Sequence, residues 1–389
     1  MGISGPTAYI ALYVALYAAF GVASPFWPKF FETRALAPEQ IGLILGAAML
    51  MRLVSGPLLG TLADSLGSLR LVLAGCACIS ASAAVALISA ETFWPLFFVA
   101  LLQAAALAPT TSIADALAVN VDDPRIGYGW LRGSASAAFV VGTLSAGQLI
   151  SATDLSPVIW MNAAFLMAAA GSTILLPGAA YRPVSQHWLS FPMEKAKALL
   201  RVSRFRIVIL VSALVYGSHA MHDAFAVILW TDAGISPSTI SVLWSEAVVA
   251  EVFVLFFLGP AWLDRFGPRG AAVLAAAAGV IRWSVAGATT SVALLSLVQP
   301  LHGLTFALLH LACMRVMATL VPARVAATAQ ALYAFGSGSM TAVLTFLSGL
   351  LYASYGGAAF FPMAALCVLA MPFAWSGFGD ESGSSGERV

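Results

Sequence analysis

Long apolar runs separated by short polar turns make up nearly the whole chain. A membrane-spanning helix needs about 20 apolar residues, and on that length the pattern predicts twelve segments. They cover residues 7–31, 39–63, 70–90, 93–118, 127–151, 155–177, 205–231, 236–262, 270–288, 291–317, 324–352 and 357–376. The chain is therefore expected to be an all-α membrane protein with twelve transmembrane helices.

A single long polar connection divides these segments into six and six. The predicted domains are a six-helix bundle at 1–177, a cytoplasmic linker at 178–204, a second six-helix bundle at 205–376 and a disordered cytoplasmic tail at 377–389. Within the linker, basic and apolar residues alternate at helical spacing over 194–204, which predicts an amphipathic helix on the membrane surface. A basic linker that serves only the topology is the alternative.

One polar signature occurs twice, 200 positions apart, where an apolar segment ends. The copies are GTLADSLG at 60–67, followed by Arg70, and GPAWLDRFG at 259–267, followed by Arg269. Each sets a carboxylate, Asp64 or Asp264, in a tight turn flanked by glycines. A repeat at this spacing predicts two pseudo-symmetric bundles, and secondary transporters work by rocking two such bundles about a central site.

Composition and charge fix the environment and the orientation. Hydrophobic residues are 61% of the chain and charged residues 9%, against about 25% charged in soluble proteins, so lipid is the expected solvent. Thirteen of the eighteen Lys and Arg residues fall on one side of the segments and two, Lys29 and Arg34, on the other. The positive-inside rule then predicts both termini in the cytoplasm and a cell inner membrane location.

Several classes of function are disfavoured. The four cysteines lie within apolar segments and have no metal-ligand or disulfide spacing, so they are interpreted as core residues. The sequence has no nucleotide-binding loop, metal cluster or nucleophile–base motif. We therefore expect neither an enzyme nor a nucleic-acid partner, no cofactor and no metal, with the proton gradient as the driving force of a monomeric carrier.

Ionisable residues inside the predicted spans are the candidate site. They are Arg52, Asp115, Asp223, Glu246, Glu251, Arg282 and Arg315. Each costs roughly 2.5–3.5 kcal/mol at a helix centre, so some are expected to pair and others to face a wet cavity. His219 and Asp223, with His222 between them, share one face of the seventh segment at positions i, i+3 and i+4.

Roles can be assigned to these residues with one alternative each. Glu251 and Glu246, with His302 and His310, are candidates for proton coupling; a structural ion pair or a core histidine is the alternative. The candidates for substrate binding are Arg282, Arg52, His219, Asp223, Trp27 and Trp244. For Arg282 the choice is between holding an anionic group of the solute and neutralising Glu251; for the tryptophans, cavity walls or interface packing.

The remaining charged candidates lie near the cytoplasmic ends of the spans. They are Asp64, Arg70, Asp115, Arg132, Asp264 and Arg315. Because equivalent helices of the two halves carry opposite charges, as at Asp115 and Arg315, a conformational gate or a fold-stabilising bridge is preferred to substrate contact.

The doubled signature resembles the loop motif G-x-L-x-D-x-x-G-x-x-R of the major facilitator superfamily. Within it the chain looks like the bacterial 3-phenylpropionate permease group, which is distantly similar to lactose permease. The residues that carry the likeness include Pro25-Phe26-Trp27, Arg52, Tyr128-Gly129, His219, Ala250-Glu251-Val252, Arg282-Trp283, Leu301-His302-Gly303 and His310-Leu311-Ala312.

The resemblance implies a coupling apparatus and a substrate class. In lactose-type symporters, glutamates on helices eight and ten, an arginine on nine and a histidine on ten couple proton to sugar. Here this implies Glu251, Arg282 and either His302 or His310, with no carboxylate on helix ten. His222, Asp223 and Glu246 depart from the uncharged pattern of the phenylpropionate group.

The sequence thus predicts a proton-coupled symporter that imports a small organic solute, an aromatic or other carboxylic acid. The alternatives are a sugar or nucleoside symporter, a drug–proton antiporter, or, in another class, a membrane receptor or scaffold that does not transport.

Overall fold

The computed structural model describes residues 5–119, 128–176 and 193–379. Within these ranges the ordered elements are helices, and no strand is present. Arg125, residues 177–192 of the predicted linker region and the tail from 380 onward lie outside the described residues, and so do the expectations made for them.

The described residues of the N-terminal half form eight α-helices. They are α1 (Gly5–Ala23), α2 (Trp27–Thr33), α3 (Pro38–Ser65), α4 (Leu69–Ala86), α5 (Phe93–Leu107), α6 (Thr110–Val119), α7 (Tyr128–Ala152) and α8 (Ser156–Leu175). A short helix, α9 (Met193–Arg201), follows in the linker where the amphipathic pattern occurs, with Ala196 and Leu199 buried.

The C-terminal half contains eight more. They are α10 (Ser203–Gly217), α11 (Ala220–Asp232), α12 (Pro237–Phe253), α13 (Gly259–Ala288), α14 (Val292–Val298), α15 (Leu309–Leu320), α16 (Ala326–Tyr355) and α17 (Phe360–Gly377). Two π-helical turns, Val254–Leu258 and Leu304–Leu308, precede α13 and α15.

Twelve membrane crossings follow from ten long apolar runs. Two runs, Pro237–Ala288 and Ala323–Gly377, have 52 and 55 residues, enough for two crossings each. The backbone turns within them at Gly267 and Gly356, where φ is 65° and 54°, values that favour glycine. Gly67, the counterpart of Gly267 in the first copy of the repeated signature, has φ 61°. The two copies therefore form turns of the same backbone type, as expected of a repeat.

Four spans predicted as continuous helices are broken in the structure. The first, fourth and seventh spans are interrupted at residues 24–26, 108–109 and 218–219, and the tenth departs from α-helical geometry at 299–301 and 304–308. Pro25, Pro109 and Pro300 lack the amide hydrogen that would continue a helix. In the seventh span, Ser218 Oγ donates to Val215 O at 2.6 Å and His219 Nδ1 lies 3.0 Å from the same oxygen. These side chains compete with the backbone for that carbonyl.

The chain separates into two compact units. One comprises Met1–Trp188 with Gly234–Ser245, and the other Leu189–Ala233 with Glu246–Val389. In the second unit, α13 packs closely on its neighbours through fully buried alanines, Ala271, Ala272, Ala275 and Ala276. Small residues let helix backbones approach one another in a membrane, so these alanines allow close packing of α13.

Candidate functional site

Arg282 on α13 is the centre of a buried polar cluster in the second unit. Its side chain is 1% exposed, and the guanidinium carbon lies 4.5 Å from the ring centroid of Trp283. Nη1 lies 3.0 Å from His302 Nδ1, and Nη2 donates to Gln299 Oε1 at 2.9 Å. Arg282 therefore joins α13 to the interrupted part of the tenth span.

The hydrogen bond to His302 determines the tautomer of that histidine. Because an arginine can only donate, Nδ1 of His302 must be the acceptor and a neutral ring carries its hydrogen on Nε2. His302 Nε2 lies 3.3 Å from Glu251 Oε2. The N–H of the neutral histidine is thus on the nitrogen nearest the Glu251 carboxylate, and a second proton on its ring would break the bond from Arg282.

A second branch runs from Arg282 through Gln299. Since Gln299 Oε1 accepts from Arg282, its amide nitrogen faces His222 Nε2, at 3.4 Å. His222 Nδ1 then carries the hydrogen and lies 3.1 Å from Asp223 Oδ1. The relay, as we call these six residues, is Asp223, His222, Gln299, Arg282, His302 and Glu251. One arginine orients two histidines in it, and each histidine faces one carboxylate.

The helix interruptions bring these side chains close to one another. Gln299 lies in the 3₁₀ turn that follows α14, His302 comes directly after that turn, and a π-helical turn begins shortly after Glu251 and after His302. A Cβ on Gly303 would come within 2.6 Å of Ala250 O, so the tenth span touches the eighth backbone to backbone beside the Glu251–His302 contact. Single π-helical turns within α-helices are frequent at functional sites.

His219 lies next to the relay, but its two ring nitrogens contact groups outside the relay. Its Nε2 lies 2.9 Å from Thr305 Oγ1, and its Nδ1 bonds to the carbonyl of Val215. The ring packs against Trp283, whose Nε1 donates to Ser218 Oγ at 2.8 Å. His219 and His222 both contact the ring of Trp283, which agrees with their predicted common face.

The other two coupling candidates lie outside the relay contacts. Glu246 accepts a hydrogen bond from Ser296 at 2.7 Å, and its second carboxylate oxygen is buried without a hydrogen-bond partner. The ring of His310 lies 6.4 Å from that of Tyr333. The structure thus brings Glu251 and His302 into direct contact, whereas the contacts given for Glu246 and His310 are with Ser296 and Tyr333.

In the first unit, Asp115 and Arg132 belong to a tyrosine cluster. Tyr13 donates to Asp115 Oδ1 at 2.5 Å, Arg132 Nη1 donates to Tyr17 Oη at 2.5 Å, and the two tyrosine rings are stacked. Arg132 Nη1 is also 4.0 Å from Asp115 Oδ1. These contacts tie the first span to the fourth and fifth.

Two further candidates in the first unit differ in their surroundings. Trp27 Nε1 donates to Gln103 Oε1 at 3.2 Å, and Gln103 donates to the buried Asn162. Arg52, in the middle of α3, is exposed. Because a charged side chain facing lipid is costly, an exposed Arg52 indicates a water-accessible surface at that point.

The remaining candidates lie at the ends of spans or in the core. Arg315 Nη2 donates to Asp264 Oδ1 at 2.9 Å, which links α15 to α13, and Arg70 donates to Leu176 O at 2.7 Å. Asp64 is exposed and Trp244 is buried. The carboxylate of the second signature copy, Asp264, is thus paired with an arginine of the tenth span, Arg315.

The sequence alone did not identify the buried amide side chains of the two units or the tyrosines of the tyrosine cluster. Gln299, Gln103 and Asn162 are buried, and each is a polar residue in an apolar run. A polar residue within an apolar run is the same signal that identified the charged residues. The signal is weaker for an amide, because an amide costs less to bury than a charge. Tyr13 and Tyr17 give a weaker signal, since tyrosine is common in membrane spans.

Broken helices and a relay of ionisable residues around the buried Arg282, in twelve apolar spans, define the class of the protein: a secondary membrane transporter. Discontinuous helices with polar residues at the break are how such carriers build their sites.

The model of a family described as MFS_1 like matches residues 7–363, and the chain belongs to this family of the major facilitator superfamily. A protein of Escherichia coli K12 described as a probable 3-phenylpropionic acid transporter is 31% identical over 383 residues, 94% of this chain and 96% of that protein. The proteins and the fold that match are those of transporters, not enzymes.

Two solved structures share the fold at low sequence identity. The nucleoside transporter NupG is 18% identical, with a TM-score of 0.85 over 97% of this chain and 100% of that one. A D-xylose–proton symporter is 16% identical, with a TM-score of 0.71 over 95% of this chain and 97% of that one.

Proposed function

We propose that this transporter is a proton symporter that imports a small carboxylic acid, preferably an aromatic one, and that Glu251 carries the coupling proton. The observation that supports this most is the relay from Arg282 through His302 to Glu251. Buried ionisable groups in membrane spans are costly and mark ion and proton pathways. Glu251 is partly exposed, at 30%, so a proton can reach it.

Charge balance gives the relay its coupling logic. With neutral histidines, Arg282 contributes one positive charge and Asp223 and Glu251 two negative ones, so the relay carries a net charge of −1. One proton on Glu251 makes it neutral. Closing a site to water costs less free energy when the site is neutral than when it is charged. The change of access is therefore favoured once the proton is bound.

Arg282 and Arg52 then take different roles. Arg282 is buried and its terminal nitrogens donate to His302 and Gln299, so we propose that it positions the relay and that its direct contact with the solute is secondary. Arg52 is exposed and is the better candidate to bind the carboxylate of the solute, through two parallel hydrogen bonds. The description of the 31% identical relative supports an acidic solute.

The protein is proposed to act as a monomer in the cell inner membrane, with both termini in the cytoplasm and the proton gradient as its driving force. The charged gate candidates, Asp64, Arg70, Asp115, Arg132, Asp264 and Arg315, would stabilise one conformation and release another. His219, Trp27 and Trp244 remain candidates for the walls of the solute site.

Uptake by proteoliposomes tests this function. Aryl- and alkyl-carboxylic acids, sugars, nucleosides and cationic drugs are offered with the outside at pH 6 or pH 8 and the inside at pH 7. We expect an organic acid to accumulate only with the acidic outside medium. Accumulation of a sugar or nucleoside instead would establish the second candidate function, which the exposed carboxylate of Asp223 favours because hydroxyl groups donate to it. Efflux driven by an acidic outside would mean antiport.

A further inference from the structure

The accessible charge of the relay is negative. The side chain of Asp223 is 55% exposed, whereas that of Arg282 is 1% exposed. A solute that reaches this face of the second unit therefore meets a carboxylate first, and the guanidinium behind it is covered by His302, Gln299 and Trp283.

Asp223 lies well inside its span. It is the fourth residue of α11 and nine residues before the helix ends at Asp232, a rise of about 13 Å. A carboxylate at such a depth faces water or protein rather than lipid, because exposure to hydrocarbon is costly. Its exposed surface thus indicates a water-filled space that a solute can enter.

His222 holds this carboxylate in a fixed direction. Its Nδ1 is 3.1 Å from Asp223 Oδ1 and its Nε2 faces the Gln299 amide, so the ring is bound on both sides. Asp223 Oδ1 is thereby occupied, and Oδ2 is left to accept from a ligand. An ionised carboxylate is only an acceptor, so the group that it selects must be a donor.

We propose that Asp223, oriented by His222, is a specificity-determining residue that accepts a hydrogen bond from a hydroxyl group of the solute. This rests on the proposed function and narrows its solute class to aromatic acids that carry a hydroxyl group on the ring or side chain. An ammonium group is a poorer match, because its charge would neutralise the relay in place of the coupling proton and turn symport into exchange.

Matched solutes test the proposal. Initial uptake of 3-phenylpropionate and of its ring-hydroxylated analogues is measured in proteoliposomes with the wild-type protein, Asp223→Ala and Asp223→Asn. Asp232→Ala, at the exposed end of the same helix, is the control. A hydrogen bond to a charged group has a free energy that corresponds to roughly tenfold to hundredfold in affinity, so we expect the wild type to prefer the best hydroxylated acid by that factor in kcat/KM.

The preference should disappear in Asp223→Ala, because the KM for the hydroxylated acid rises relative to that for 3-phenylpropionate, whatever the lost charge does to the transport of both acids. In Asp223→Asn, whose amide oxygen still accepts but has no charge, it should fall to a few-fold. Asp232→Ala should keep the wild-type ratio. If Asp223→Ala does not fold, Asp223→Asn tests the proposal. A kcat/KM preference for the hydroxylated acid that is unchanged in Asp223→Asn would contradict the role of the charge.

Equal transport of both acids by the wild type, or an unchanged preference in Asp223→Ala, would overturn the inference. Either result leaves the proposed function standing as long as uptake of the acids still moves protons. If no acid moves protons, the proposed function itself fails.

Discussion

Replacing Arg282 by methionine should destabilise the protein far more than the same change at Arg315. Methionine is similar in length and apolar, so it fills the space beside Trp283 and removes the charge. The change breaks hydrogen bonds of 3.0 and 2.9 Å, each contributing about 1.5–3 kcal/mol for a charged donor, and leaves two acceptors without partners. Because both acceptors belong to neutral groups, the two lost bonds together are expected to cost about 3–5 kcal/mol.

Arg315→Met is the matched control. Arg315 also makes a hydrogen bond of 2.9 Å, to Asp264, but the two side chains are 50% and 69% exposed. Pairs as exposed as this contribute about 0–1 kcal/mol. For a unit of this size 1 kcal/mol corresponds to about 2–4 °C in Tm. We therefore expect a loss on the order of 10 °C for Arg282→Met and of at most a few degrees for Arg315→Met.

The buried cysteines provide the assay. Cys76, Cys313 and Cys367 are buried, so a fluorogenic maleimide reports unfolding of the detergent-purified protein as the temperature rises. Adding Glu251→Gln to Arg282→Met should restore part of the loss, because it removes one of the two carboxylates left uncompensated. Members of one hydrogen-bonded network typically show coupling of about 0.5–3 kcal/mol. Equal shifts for the two arginine variants, or strictly additive effects of Arg282→Met and Glu251→Gln, would refute the relay.

Three further predictions concern coupling, helix contact and topology. Glu251→Gln, which mimics the protonated acid, should abolish uphill accumulation in proteoliposomes but retain solute exchange; uphill uptake at the wild-type level would remove Glu251 from the mechanism. Gly303→Ala, whose new methyl group would meet Ala250 O at 2.6 Å, should lower the transport rate at least tenfold, whereas Gly75→Ala, with nothing within 4 Å, should not; equal rates would contradict a tight contact. In a variant without native cysteines, single cysteines at 32–38 should react with an impermeant reagent outside intact cells, and one at Asp264 should not; the reverse would invert the topology.

Much of this architecture can be predicted from the sequence because lipid imposes simple rules. The length of the apolar runs, the repeated turn at Gly67 and Gly267 and the Lys and Arg asymmetry predict the fold, and the cost of charge in lipid identifies Glu251 and Arg282. Each of these signals comes from neighbouring residues or from a count over the chain, so it can be obtained from a single sequence.

The relay itself is not predictable in this way. A sequence can suggest that Arg282 balances Glu251, but His302 stands between them because of the π-helical and 3₁₀ turns around Gln299 and His302. Beside those turns the tenth span packs against the eighth at Gly303, a contact between residues far apart in the sequence. The break at Ser218 likewise arises from side-chain competition for Val215 O, with no proline to announce it. Orientation at a helix break is a tertiary property.

The most direct measurement of the central claim is proton movement driven by the solute alone. Proteoliposomes containing a trapped pH-sensitive dye, at equal pH on both sides, are given a saturating aromatic carboxylic acid outside. For a symporter the interior should become acidic faster than in protein-free liposomes as the acid enters, and this excess should vanish in Glu251→Gln while solute exchange persists. Solute entry without a change of internal pH, or an interior that becomes alkaline, would contradict proton symport.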